Sequence, residues 1–405
     1  MEIMTRPSPL RRARPAVLAA FFAQGFTFIS LTTRLPQIMA RAGVAELGQS
    51  LLLLLMVLLA GGGSVLAETL AARVPSATVL RGGLLAIAIG VPVIVLSPDL
   101  GVLIAGMGCY GIGLGVVDAT TNMQAVAVEA GYGRPILPSF HGAWTVGGIL
   151  ASALTLATAS LPWSSTAAVA VVPAVVAAAP FLARSRMSST AELTGASIDV
   201  PWRPIILVGI AMVLFYMVDT AATTWGPTYL DHTLAAPQQL LALATLPYLL
   251  ASGVQRLAGD ALVARFGPVV IVRTGALVAA VALAVVVFAP AWPVAVAGFA
   301  LLGLGVAVIA PLSFSAAARI AGGADADPAV RRARVDAVIG RFNQFNYVGA
   351  LLGAVMTGLV GAGNLRWGFA LPMVLVLGII PLARYFGTTG SRPTVHPHDG
   401  AWPSS

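Results

Sequence analysis

The stretch ETLAARVPSATVLRGGLL (68–85) returns later in the chain as DALVARFGPVVIVRTGAL (260–277). The two stretches align without a gap at an offset of 260 − 68 = 192. The aligned pairs include Glu68–Asp260, Arg73–Arg265, Arg81–Arg273 and Gly83–Gly275. The same offset pairs three further glycines, Gly106–Gly298, Gly111–Gly303 and Gly113–Gly305. The chain therefore consists of two copies of one structural unit.

The composition is that of a protein surrounded by lipid. Of the 405 residues, 58% are hydrophobic and 9% are charged, and the mean hydropathy is +0.91. A soluble protein of this length needs more charge to cover its surface. The long apolar runs do not alternate with polar residues, which argues against a transmembrane barrel. The composition predicts a helical protein that crosses the membrane many times.

Twelve apolar runs are long enough to cross a bilayer as helices. The predicted spans are 16–38, 48–71, 79–97, 101–124, 136–160, 163–184, 204–230, 239–262, 268–289, 293–318, 338–361 and 366–386. The predicted domains are an N-terminal tail (1–15), a six-helix bundle (16–184), a linker (185–203), a second six-helix bundle (204–386) and a disordered C-terminal tail (387–405). An even number of spans places both tails on the same side of the membrane.

The arginines predict which side that is. One face of the predicted topology carries Arg11, Arg12, Arg14, Arg73, Arg81, Arg134, Arg184, Arg186, Arg265, Arg273, Arg331, Arg332, Arg334 and Arg384. The opposite face has little beyond Arg34, Arg41 and Arg366. Because basic residues favour the cytoplasmic side, both termini are predicted to be cytoplasmic, in the cell membrane of a bacterium. We expect Arg34 to extend its charged group towards the outer surface.

The two units have the same orientation, because six spans separate equivalent points. Two parallel six-span repeats are typical of one transporter architecture. The chain resembles the major facilitator superfamily, whose Arg-x-Gly element after spans 2 and 8 has its counterparts in Arg73-Val74-Pro75, with proline in place of the glycine, and Arg265-Phe266-Gly267. The pattern of Asp118, Asn122, Gln124 and Glu129, followed by Arg134-Pro135 and Phe140-His141, resembles a branch of bacterial permeases distantly akin to fucose permease. The resemblance implies an all-α fold of 12 transmembrane helices in two parallel-repeated halves, alternating access and a monomer.

Polar residues predict which helices line the path. The third, sixth, ninth and twelfth spans are almost purely apolar, so we expect them at the periphery. Polar residues on shared faces of the other spans predict a substrate and proton path. The candidate path residues are Gln24, Asp118, Asn122, His141, Trp144, Tyr216, Asp219, Thr223, Asn343, Asn346 and Tyr347. The candidate cytoplasmic gate residues are Glu68, Arg73, Glu129, Arg256, Asp260 and Arg265.

Two carboxylates are the deepest acidic groups. Asp219 is predicted near the middle of its span and Asp118 nearer the cytoplasmic end. A carboxyl group removed from water holds its proton more readily, so either residue is a candidate to carry a proton or bind substrate. The alternative is that each anchors neighbouring helices by hydrogen bonds.

The remaining candidates also have two interpretations. His141 fits a proton relay or, more simply, a loop anchor. Trp144 suits stacking on a substrate as well as packing. Arg256 lies one turn before Asp260, which favours an ion pair within the gate. On another face of the fourth helix, Gln124 is predicted to bond a neighbouring helix.

These features predict a secondary transporter of a small organic solute, proton-coupled, with a sugar-like solute as one option. The alternatives are an exporter of drugs or secondary metabolites, and a membrane sensor that does not transport. The chain has no P-loop, no zinc-type cluster and no nucleophile elbow, so we expect no enzyme activity, no cofactor and no metal. The expected partners are the solute, protons and the lipid bilayer, but not nucleic acid.

Overall fold

Twelve apolar helices make up the described part of the chain, as predicted. The computed structural model of the protein describes residues 9–71, 73–132, 136–182, 201–323, 334–335, 338, 341–342 and 344–387. The first six helices are α1 (Pro9–Ala42), α2 (Glu46–Ala71), α3 (Ser76–Val95), α4 (Leu100–Tyr132), α5 (Leu137–Ala157) and α6 (Trp163–Val176). The other six are α7 (Trp202–Thr233), α8 (Gln238–Ala244 and Leu246–Phe266), α9 (Pro268–Val287), α10 (Trp292–Gly322), α11 (Gln344–Val360) and α12 (Leu365–Phe386). Ten are long and apolar enough to cross a membrane, and α6 and α11 are shorter apolar helices.

Both halves use the same helix pairings. In the first half α1 packs against α5, and both α2 and α3 pack against α4. In the second half α7 packs against α11, and both α8 and α9 pack against α10. The predicted repeat of two parallel six-helix units is confirmed by this shared topology.

Equivalent glycines make the equivalent helix crossings. A Cβ atom on Gly111 would lie 2.6 Å from the carbonyl oxygen of Met56, and one on Gly303 would lie 2.3 Å from that of Tyr248. Met56 and Tyr248 are themselves 248 − 56 = 192 residues apart. Glycine is required at both crossings because the two backbones touch there. The repeat therefore extends from the sequence to individual backbone contacts.

The halves meet through the helices predicted to be polar. Their principal contacts join α2 to α11, α5 to α8, and α1 to α7. In the principal contacts of the described residues, α3, α6, α9 and α12 pack within their own half. The predicted peripheral position of these four helices agrees with this arrangement.

Three helix boundaries differ clearly from the prediction, beyond shifts of a few residues elsewhere, and one of these differences moves a candidate residue. Helix α1 already begins at Pro9, α6 ends at Val176, and α4 continues to Tyr132. The polar run after Asp118 lowers the hydropathy of α4 without ending it. Its side chains donate to carbonyls of their own helix, at Val116, Val117 and Asp118. Asp118 therefore lies near the midpoint of its helix. The prediction had placed it nearer the cytoplasmic end.

Two terms describe the ends of the bundle. The far end is where α1 finishes and α2 begins, and the near end is the opposite one, where α2 finishes. Most of the predicted N-terminal tail, linker and C-terminal tail lies outside the described residues, so their boundaries stay predictions.

Candidate substrate and proton path

Asp118 joins the two halves near the middle of the bundle. Its Oδ1 accepts a hydrogen bond from Nε2 of Gln24 on α1 at 3.4 Å. Its Oδ2 accepts one from the hydroxyl of Tyr347 on α11, in the other half. Helices α1, α4 and α11 thus meet at one partly buried carboxyl group. The bond to Tyr347 links the two halves directly.

Asp219 has a similar partner, but within its own half. The Tyr248 hydroxyl on α8 donates to Oδ1 of Asp219 on α7. Directly after Asp219 and Thr220, α7 changes to π-helical geometry over Ala221–Trp225. Such segments occur preferentially at functional sites because they displace side chains from the regular helical register. Asp219 therefore sits where α7 departs from regular geometry.

Tyr248 was not among the predicted path residues. The repeat offset pairs it with Met56, so a polar ring stands in one half where a thioether stands in the other. That departure from the repeat is a signal by which the sequence alone identifies Tyr248.

Arg256 forms a second mid-bundle link between the halves. Its Nη1 donates to Oγ1 of Thr145 on α5 at 2.6 Å, and its Nε donates to the carbonyl of Ala307 at 3.4 Å. The guanidinium lies within electrostatic range of Asp219 and is exposed. The predicted pairing of Arg256 with Asp260 stays a prediction, since the Asp260 side chain is outside the described set. We call Gln24, Asp118, Asp219, Tyr248, Arg256 and Tyr347 the central cluster.

The other predicted path residues surround this cluster to different degrees. Asn122 donates to the carbonyl of Asp118 at 2.8 Å, and the buried Thr223 donates to the carbonyl of Asp219 at 2.8 Å. Tyr216, Trp144 and Asn346 are partly buried, and His141 is exposed next to the ring of Phe21. Asn343 lies outside the described residues.

Four of the six predicted gate residues, Glu68, Arg73, Glu129 and Arg265, lie towards the near end, whereas Arg256 lies at mid-bundle in the central cluster. Glu68 and Arg73 are exposed, and the guanidinium of Arg265 lies over the ring of Phe266 at 5.1 Å. The carboxylate of Glu129 accepts a hydrogen bond from the backbone N–H of Ile136 at 2.6 Å, just before α5 begins. Glu129 thus holds the connection between α4 and α5.

The polar face of α4 divides into parts with different contacts. The glycines at its far-end side, Gly111 and Gly115, pack on the backbone of α2 and do not border the path. Asp118 follows them and turns to the central cluster. Gln124 points away and bonds the Ser76 hydroxyl at 2.9 Å and the backbone of Leu182. The predicted interhelical role of Gln124 is confirmed.

Three hydrogen bonds between side chains close the far end. Nε2 of Gln49 donates to Oγ1 of Thr228 at 3.2 Å, and both side chains are buried. The hydroxyls of Ser152 and Thr245, also buried, are 2.9 Å apart. At the surface, Nδ1 of His232 lies 3.1 Å from Oε1 of Glu46. Each pair joins one half to the other, and we call the three pairs the far-end seal.

Sequence comparison finds transporters among the relatives. The chain is 28% identical over 306 residues to the uncharacterized transporter y4wD of Sinorhizobium fredii, covering 75% of this chain and 81% of that protein. It is 23% identical over 373 residues to an uncharacterized MFS-type transporter of Yersinia pestis, covering 90% and 93%. No protein-family model matches the chain.

Solved structures agree over almost the full length. The nucleoside transporter NupG superposes with a TM-score of 0.69 at 15% identity or less, over 92% of this chain and 98% of that one. The chain has the major facilitator superfamily fold. The Escherichia coli fucose:proton symporter FucP, another MFS transporter, superposes with a TM-score of 0.54 at 15% identity, over 93% and 98%. At these identities the MFS likeness establishes the fold, and the polar residues of this chain have to be interpreted from their own contacts.

Proposed function

We propose that this protein is a secondary transporter that exchanges a proton for, or moves it with, a small polar organic solute by alternating access. The central cluster carries the proposal. Two carboxyl groups lie near mid-helix, each bound by a tyrosine hydroxyl, and one of these bonds crosses between the halves. Ionisable groups at this depth are costly in a membrane protein and mark proton or substrate pathways.

The cluster suits a solute that offers hydroxyl or amide groups. Its carboxylates and the Gln24 amide accept and donate hydrogen bonds, and the exposed Arg256 adds one positive charge. A proton entering the cluster would neutralise a carboxylate and weaken its hold on the tyrosine. Loss of the Asp118–Tyr347 bond would then release one half from the other at mid-height.

The arginines support an orientation with the far end outside. Arg73, Arg81, Arg265, Arg273 and Arg384 lie towards the near end, which by the positive-inside rule faces the cytoplasm. With its far end sealed, the structure in this orientation is closed to the outside. The cell membrane of a bacterium and a monomeric state are part of the same proposal.

The function is tested in proteoliposomes that enclose a pH-sensitive dye. L-Fucose, uridine and a panel of other neutral sugars and nucleosides are added outside, with and without an imposed pH gradient. We expect at least one solute to move protons in step with its own flux, inward for symport or outward for antiport. Robust solute flux that depends on neither the pH gradient nor the membrane potential would show that the protein is a facilitator, and it would overturn the proposed proton coupling.

Alternating access also predicts that the Glu46–His232 pair favours closure of the far end. Exposed pairs of this kind contribute up to about 1 kcal/mol, which shifts a two-state equilibrium about fivefold. Opening is measured with a single cysteine, introduced as Ser50→Cys in a Cys109→Ser background. Ser50 is buried and contacts Gly358 of the other half, so the rate of maleimide labelling at this position reports opening of the far end.

Glu46→Gln should raise that labelling rate by up to about the same fivefold factor, because it removes the charge of the carboxylate that contacts His232. Asp99→Asn is the matched control, because Asp99 is an acid at the same end that only accepts from the Val102 backbone. Asp231, whose carboxylate lies 3.9 Å from the other imidazole nitrogen, is the second charged neighbour and is tested in parallel as Asp231→Asn. An unchanged labelling rate in Glu46→Gln would remove the pair from the far-end seal.

A further inference from the structure

The far end holds a cavity that is separate from the central cluster. Its volume is about 390 Å³, within the range of pockets that bind small molecules. The first half supplies Arg34, Gln37 and Trp163, and the second half supplies Gln238 and Gln239. The walls thus combine one cation, three amides and an aromatic ring, and they come from both halves.

Arg34 is buried in this wall. The prediction that its charged group extends to the outer surface is therefore wrong. The residue is 4% exposed. Its Nη1 donates to Oε1 of Gln37 at 3.2 Å, its Nη2 is 3.5 Å from the carbonyl of Thr158, and its buried Nε has no partner. Among the described residues no carboxylate forms an ion pair with it. A guanidinium carries five N–H donors, so most of the donor capacity of Arg34 is unused.

Arg366, another far-end arginine, shows what a satisfied guanidinium looks like in this protein. Its Nη1 and Nη2 donate to the carbonyls of Val287 and Ala289 at 2.5 and 2.8 Å, just where α9 ends. Arg366 thus binds the free carbonyl groups at the end of α9, and it is not among the residues that line the far-end cavity. Arg34, by contrast, makes long bonds and faces a cavity. A buried cation without an acidic partner is costly, and an anionic ligand would offset that cost.

The remaining walls favour an organic anion over a bare ion. The ring of Trp163 offers an apolar face, and the guanidinium of Arg41 lies 4.9 Å from its centre, adding positive charge near the cavity. The Gln238 and Gln239 amides can donate to and accept from hydroxyl groups on the same ligand. We propose that the far-end cavity binds a small organic anion, with its carboxylate on Arg34 and its ring or sugar face on Trp163.

The test measures binding and does not require transport. Purified protein in detergent is titrated by calorimetry with two matched pairs, D-glucuronate against D-glucose and benzoate against benzyl alcohol. The same titrations are repeated on Asp219→Asn, so that loss of transport and loss of this site are distinguishable. We expect the two carboxylates to bind in both backgrounds, and their neutral partners to bind at least tenfold more weakly.

Arg34→Gln should weaken carboxylate binding between about tenfold and a hundredfold, as expected for loss of hydrogen bonds to a charged group. Arg34→Lys keeps the charge without the planar fork, so binding should fall by a smaller factor. Arg384→Gln removes the same charge at the near end, where Arg384 bonds Tyr385, and should leave binding unchanged. Gln238→Leu alters an exposed position and gives a second test if Arg34→Gln does not fold.

Three results would overturn the proposal. The first is the absence of carboxylate binding to the wild type, and the second is equal binding to the wild type and to folded Arg34→Gln. The third comes from titrations with sulfate and with phosphatidylglycerol vesicles. If sulfate or the vesicles bind and neither carboxylate binds, the cavity holds an inorganic ion or a lipid headgroup and no organic anion.

Discussion

Asp219→Asn is expected to abolish proton-driven accumulation of the solute. An amide keeps the size of the side chain and still accepts the hydrogen bond from Tyr248, but it cannot exchange a proton. If one proton moves with one solute molecule, a gradient of about one pH unit supports about tenfold accumulation. The variant should therefore bring the internal concentration down to the external one.

Counterflow separates a coupling role from a binding role. Exchange of labelled for unlabelled solute needs no net proton movement, so Asp219→Asn should retain exchange while losing accumulation. Asp118→Asn is measured in the same way, because the carboxylate that carries the proton is the one whose amide variant keeps exchange. The amide variant of a carboxylate that binds substrate would lose both activities.

The matched control is Asp99→Asn, which removes a far-end carboxylate that accepts a hydrogen bond from the Val102 backbone and takes no part in the far-end seal. It should accumulate solute as the wild type does. Tyr248→Phe tests the positioning of Asp219: removal of the hydroxyl should shift the pH dependence of uptake without abolishing exchange. If Asp219→Asn accumulates solute at the wild-type level, Asp219 is a structural anchor and the proposed path is wrong there.

The repeated glycines show what the sequence reveals about the fold. Gly111 and Gly303 are separated by the offset of 192, and in the structure they touch backbones separated by the same offset. A close helix crossing requires a residue without a side chain, and glycine can be recognised directly in a single sequence. The number of spans, the repeat of two six-helix halves and the peripheral helices follow from such patterns together with hydropathy.

The central cluster was predictable only in part, for a physical reason. Hydropathy predicts which residues can face lipid. Because α4 is surrounded by protein where its polar run begins, polar residues are accepted there, and the predicted span ended too early. Asp118 was found because it is charged, but its partner Tyr347 and the bond between halves depend on three-dimensional geometry. A sequence pattern cannot show which hydroxyl reaches which carboxylate.

Departures from the repeat are more informative than the repeat itself. At the offset of 192, Asp118 faces Ala310, Arg256 faces Ser64 and Tyr248 faces Met56. The two halves pair their helices in the same way, so similar residues are expected wherever packing alone decides. Side chains of different chemistry at equivalent positions are therefore not needed by the shared fold, and Asp118, Arg256 and Tyr248 all lie in the central cluster.

Gly115→Ala is expected to cause the largest loss of stability, at the closest crossing of α2 and α4. A Cβ atom at this position would lie 1.8 Å from the carbonyl oxygen of Ala60, and that oxygen belongs to backbone that no rotamer change can move. The two helices must separate to make room. Overpacking costs about 1–3 kcal/mol and more where the backbone has to shift. We expect a clearly lower melting temperature and less monodisperse protein on size exclusion.

Gly62→Ala provides a control with the opposite sign. A Cβ atom on Gly62 of α2 meets nothing within 4 Å, so the substitution should be neutral or should stabilise the helix by up to about 1 kcal/mol. The repeat makes the test stricter, because the partner of Gly115 at the offset of 192 is Ala307, which already carries a Cβ atom. The second half thus accommodates a methyl group at the equivalent crossing, where the carbonyl of Ala307 accepts from Arg256. If Gly115→Ala melts at the same temperature as Gly62→Ala, the two crossings are equally open. The first half would then lack the close backbone contact that places Asp118 towards the path.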